Sequence, residues 1–160
     1  MTRLGLFCVS ILLVSFRGTE CTTVTTKSGD VLGGSQQFLG LHRNGTYHSF
    51  RQIPYAEPPV GGLRFRDPVA VTAWEQPLDA SGELNPDSVC LQPSYFDPRT
   101  AGQIIGTEDC LFLNIFSETL PQESKNLDLK PVFFWIHGGA FSIGSGEMFG
   151  QQPDLLLESG

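Results

Sequence analysis

Residues 131–141 read Pro131-Val132-Phe133-Phe134-Trp135-Ile136-His137-Gly138-Gly139-Ala140-Phe141, and the fold class turns on this stretch. Residues 132–136 are apolar without interruption, whereas a strand with one wet face alternates apolar and polar side chains. The run predicts a strand covered on both faces, as in a parallel sheet under helices. Parallel strands need crossover connections, usually helices. Upstream of Pro131 no helical pattern of ten or more residues occurs. The one candidate helix opens at Pro153-Asp154, with Leu155, Leu156 and Leu157 behind it, and meets Gly160. A doubly covered strand without covering helices lacks its partners. The chain is therefore expected to be the N-terminal piece of a larger α/β protein, truncated within an element, and to fold poorly alone.

Gly138, Gly139 and Ala140 carry little or no side chain, so consecutive backbone N–H groups can turn toward one point and approach a bound atom closely. An oxyanion hole is built in this way, holding the charge of a tetrahedral acyl-transfer intermediate; loss of one donor costs about 10²–10³ in rate. An ordinary glycine turn has the same letters, but a glycine loop after an apolar strand end is the arrangement that chemistry uses. No G-x-S-x-G occurs in the chain. Ser142, in Ala140-Phe141-Ser142-Ile143-Gly144, lies on the same loop as the glycines, whereas a nucleophile elbow needs its own strand, turn and helix. The histidines are His42, His48 and His137. None is assigned as a catalytic base, and His137 is expected to support the loop by hydrogen bonding.

The N-terminus is a leader in pattern. One basic residue, Arg3, precedes the apolar residues 4–16, and residues 17–21 turn small and polar. This is the order of a secretory signal peptide, placed here at residues 1–21 with cleavage after Cys21. It is too short for a membrane span, which takes about 20 apolar residues. The 160 residues carry a formal charge of −7, with 40% hydrophobic and 17% charged side chains. Such a chain is too apolar for disorder and too acidic to bind nucleic acid or an anionic membrane through clustered cations. Of four cysteines, Cys8 and Cys21 leave with the leader, and Cys90 and Cys110 remain. In an oxidising compartment they either pair or stay as two buried thiols. Neither stands at metal-ligand spacing, so no metal is expected. Asn44-Gly45-Thr46 is the one glycosylation sequon.

Elsewhere the chain reads as short strands and long turns. Residues 22–26 and 30–32 flank Lys27-Ser28-Gly29 as a hairpin. Residues 47–53 form a strand stopped by Pro54, and residues 111–116 another. Residues 55–87 carry seven Pro or Gly punctuation points from Pro58 to Pro86, apart from Gly82, and are expected to be irregular. Residues 121–130 are polar and suit a surface connection.

Several strings together resemble the N-terminal part of the type-B carboxylesterases, the family that includes the cholinesterases and some non-catalytic adhesion proteins. They are residues 50–61 (FRQIPYAEPPVG), 63–65 (LRF), Trp74, 108–115 (EDCLFLNI) and 135–141 (WIHGGAF). The resemblance covers residues 22–160 as the N-terminal portion of an incomplete esterase domain. It implies an α/β-hydrolase fold in which antiparallel N-terminal strands lead into the central sheet. It also implies a Ser, acidic residue and His triad, which would lie beyond Gly160, and no cofactor. The positions of Gly139 and Ala140 match two donors of the family's oxyanion hole, with His137 and Gly138 supporting them. Ala140 replaces a common third Gly, and Gln52 stands where Gly is usual. The family's first disulfide maps onto Cys90–Cys110, and a structural ion pair maps onto Arg64–Glu108.

The function so implied is hydrolysis of small-molecule carboxylic esters by a secreted serine esterase through an acyl-enzyme. This chain would supply the oxyanion loop and be inactive alone. The alternative is a catalytically dead, esterase-like adhesion protein. In cholinesterases the loop matching residues 91–109 carries a Trp that stacks on the quaternary ammonium. Here it holds Tyr95 and Phe96 but no Trp, which favours a general carboxylic ester over a choline ester.

Overall fold

A computed structural model describes residues 21–82, 89–95, 97–121, 130–146 and 153–158. Residues 1–20 of the expected signal peptide lie outside them, as do Phe96 and residues 122–129 of the expected surface connection. Strand β1, Thr22–Thr26, and strand β2, Gly29–Leu39, pair antiparallel. Thr26 faces Gly29, so Lys27-Ser28 is a two-residue turn. Trp74 seals that turn: its Nε1–H donates to Asp30 O at 2.8 Å. A Cβ at Gly29 would lie 2.5 Å from the Trp74 ring, so the turn admits only Gly.

Strand β3, Asn44–Pro54, returns antiparallel along the far half of β2. Strand β4, Leu78–Asp79, adds a short parallel pairing to β2. Strands β5, Gln92–Pro93, and β6, Ile104–Ile105, form a small antiparallel ribbon of their own. Strand β7, Phe112–Ser117, pairs antiparallel with β3 and gives the main sheet its order β1-β2-β3-β7. A short helix α1, Asp154–Glu158, follows.

The sheet packs around Val31, Phe50, Ala80 and Leu120, with Val24, Ile53, Trp74 and Leu78 against them. Beside this cluster Phe38 and Tyr47 are buried, and Phe116 meets Tyr47 edge-on with ring centres 6.0 Å apart. Edge-on pairs of this kind contribute about 0.5–1.5 kcal/mol beyond area burial. Strand β2 runs seven residues past the expected end at Leu32, through Gly33 and Gly34. Glycine is a poor strand former, but here it makes room: a Cβ at Gly33 would lie 2.4 Å from the Phe50 ring.

The expected strand at residues 132–136 is not formed. These residues are irregular and every side chain is more than half exposed, with Val132 at 89% and Trp135 at 58%. A strand exists by pairing, and none of the described strands pairs with this run. The apolar pattern records an environment that the rest of the described chain does not provide. Five adjacent large apolar side chains in water form the kind of patch that marks a surface made to be covered.

Gln52 sits at a bulge in β3. Its φ is +58°, the left-handed region, at a register shift between Phe50 and Ile53 where β3 bulges against β7. The bulge turns the Gln52 N–H away from the ladder to Asn114 Oδ1 at 2.8 Å. A left-handed residue with a side chain costs roughly 1–2 kcal/mol, partly offset because Gly loses more entropy on folding. Gln52→Gly is expected to stabilise the folded protein by about 0.5–1 kcal/mol. The denaturant midpoint checks this, and a midpoint that falls contradicts it.

Candidate functional site

The glycine loop follows the irregular, exposed apolar run that ends at Ile136 and turns sharply. Gly139 has φ +133°, and Ala140 and Phe141 follow at +53° and +57°. Three consecutive positive angles make a left-handed turn, closed by Ser142 N–H and Ile143 N–H, which both donate to Gly139 O at 3.0 and 3.1 Å. A Cβ on Gly139 would stand 1.7 Å from Ile143 O, so no other residue fits without moving the turn. Among the described residues, the N–H groups of Gly139 and Ala140 donate to no protein acceptor. They remain available to a bound oxygen. Two non-glycine residues in the left-handed region store strain, as functional loops often do.

Supporting contacts surround the turn. His137 Nδ1 lies 2.9 Å from Gly138 O, a contact in which the ring must donate. Gly144, at φ +113°, packs under both: a Cβ there would lie 2.5 Å from Gly138 O and 2.6 Å from His137 Nδ1. Ser142 Oγ donates back to Ala140 O at 3.2 Å. That bond ties the hydroxyl to its own turn and pairs it with no base.

Segments far apart in the chain reach this loop through Gln92 and Asn114, and other long-range contacts order the chain around them. Cys90 and Cys110 are joined as a disulfide. The bridge closes the segment holding β5 and β6. Gln92, on β5 and 4% exposed, bonds both the N–H and the carbonyl of Gly144. Asn114 reaches from β7 to Gln52 and lies close to Gly146. Glu57 fixes the Pro-rich segment, since its carboxylate accepts the Thr72 N–H and hydroxyl at 2.7 and 2.9 Å, and those bonds hold its pKa below the usual glutamate value. Neither Gln92 nor Asn114 stands out in the sequence as a site residue. The only signal for Gln92 is its place two residues after Cys90.

Arg64 Nε lies 2.7 Å from Glu108 Oε1, with side chains 52% and 36% exposed. Exposed pairs of this kind contribute under about 1 kcal/mol, against about 3–5 kcal/mol lost when one partner of a buried pair is removed. Arg64→Ala is therefore expected to shift the melting temperature only slightly. A loss on the buried scale would contradict the exposure seen here. Asn44 is exposed at the start of β3. No helix among the described residues is long and apolar enough to cross a membrane.

Comparison with known proteins supplies the wider setting. A carboxylic ester hydrolase of Bombus ignitus is 36% identical over 148 residues, covering 91% of this chain and 25% of that protein. The para-nitrobenzyl esterase of Bacillus subtilis is 42% identical over 124 residues, covering 77% of this chain and 22% of that protein. Among solved structures, the juvenile hormone esterase of Manduca sexta superposes with a TM-score of 0.69 at 34% identity, covering 86% of this chain and 24% of that one. The chain thus spans about a quarter of the length of the curated relatives it matches. Its antiparallel sheet corresponds to the N-terminal part of the α/β-hydrolase fold of those esterases. The sequence profile of the carboxylesterase family matches residues 20–159, and the chain belongs to that family.

Proposed function

We propose that this chain is the N-terminal portion of a secreted serine ester hydrolase and supplies its oxyanion-hole loop. The observation that carries the reading is the left-handed turn at residues 139–141, whose first two N–H groups have no protein acceptor among the described residues. A serine attacking an ester carbonyl moves charge onto the carbonyl oxygen. Two preorganised N–H donors, waiting without reorganisation, stabilise that oxygen more than they stabilise the neutral ester. His137 and Gly144 hold the turn from below. The nucleophile, its acid and its base come from sequence outside these 160 residues.

Secretion is supported by the leader pattern of residues 1–21 and by the Cys90–Cys110 bridge, since disulfides persist in oxidising compartments. The exposed sequon at Asn44 suits glycosylation there. Absence of a Trp from residues 91–109 favours a general carboxylic ester over a choline ester. The intact esterase is expected to hydrolyse a simple aryl ester, and the 160-residue chain alone to hydrolyse none above background, because a hole stabilises charge only after a nucleophile attacks. If the correctly folded intact protein shows no turnover, the dead, adhesion-type relative becomes the better reading.

A further inference from the structure

Gln92 is buried at 4% exposure, yet its carboxamide is almost fully used. Gly144 N–H donates to Oε1 at 2.6 Å, and Nε2 donates to Gly144 O and to Cys90 O, both at 3.0 Å. The side chain therefore pairs with the peptide groups of Gly144 as a neighbouring backbone strand would. Gly144 lies close to Gly138 O and the His137 ring, with no room between them for a side chain. Its neighbour Ile143 donates to Gly139 O at 3.1 Å, so a shift of Gly144 is passed to the turn at Gly139. Gln92 in turn is held by the ribbon of β5 and β6, inside the segment that the disulfide closes.

We propose that Gln92 is the positioning residue of the glycine loop: through Gly144 it sets the direction of the Gly139 and Ala140 N–H groups against the disulfide-closed segment. The catalytic consequence rests on the ester-hydrolase reading; the mechanical one does not. A misplacement of about 1 Å at a site of this kind costs on the order of 10² in rate. Asparagine is one methylene short, methionine keeps the volume but bonds nothing, and glutamate keeps only the acceptor while ionised.

The test uses the intact esterase with Gln92→Met and Gln92→Glu, reading aryl-ester kinetics and amide hydrogen exchange over residues 137–146. Gln92→Met is expected to lower kcat by about 10² with KM changed by less than about threefold, and to speed exchange in the loop. In Gln92→Glu the introduced carboxyl can donate to Gly144 O only when protonated. Its kcat relative to wild type should therefore rise as pH falls, a profile that lost packing alone does not produce. This near-isosteric variant also serves if the Met variant does not fold. Unchanged exchange, unchanged kcat, or a pH-independent ratio for Gln92→Glu overturns the proposal. Faster loop exchange in Gln92→Met beside a wild type that turns over no ester supports the clamp and removes the ester-hydrolase reading.

Discussion

If the intact protein is the ester hydrolase proposed, Gly139→Ala is expected to lower its kcat by about 10² or more, while the protein still folds. The added methyl would lie 1.7 Å from Ile143 O, on a backbone at φ +133°. The turn must open, and the N–H groups of Gly139 and Ala140 move with it. On the proposed reading those donors act on charge that develops in the transition state, so the loss is expected to fall on kcat far more than on KM. Ala140→Gly is the matching control. At φ +53° the alanine is strained, so glycine should keep the activity and add up to about 1 kcal/mol of stability. Steady-state kinetics with circular dichroism decide it. A Gly139→Ala protein that folds and turns over at the wild-type rate would show that the donors lie elsewhere.

Replacing both Cys90 and Cys110 with alanine is expected to destabilise the protein by about 3 kcal/mol, the loop-entropy value for a closed segment of this size. The two positions are 20 residues apart. The segment they close also holds Gln92, so activity should fall at temperatures where the double variant is still folded. Urea denaturation and parallel kinetics check both parts. An unchanged midpoint would mean that the segment is ordered by its other contacts, such as the pairing of β5 with β6.

The readable parts of the fold were those fixed by local chemistry. The β1–β2 hairpin follows from Lys27-Ser28-Gly29, and β7 follows from the apolar run beginning at Leu111. The matching strings also proved to be spatial neighbours, since Arg64 meets Glu108 and Asn114 meets the Gln52 bulge. Other features depended on partners that no local pattern encodes. The length of β2 was hidden by Gly33 and Gly34, whose value lies in the Phe50 ring that fills their space. At Gln52 the family's usual Gly hints at a positive φ, but the bulge itself shows only in the pairing of β3 with β7. Gln92 was hidden because an amide in a loop is ordinary until its burial is known. Residues 132–136 show the opposite case. Their composition describes a covered strand, and the described chain leaves them uncovered.

The reading of this chain as the oxyanion-hole segment of a serine ester hydrolase is tested most directly by intact-mass measurement after an aryl organophosphate is added to the intact protein. A serine activated beside a working oxyanion hole is phosphorylated once, and the aryl group leaves. The expected result is one adduct per protein, mapped to a serine outside residues 1–160, with ester turnover lost in parallel. No adduct on a correctly folded protein, or an adduct on Ser142, would contradict it.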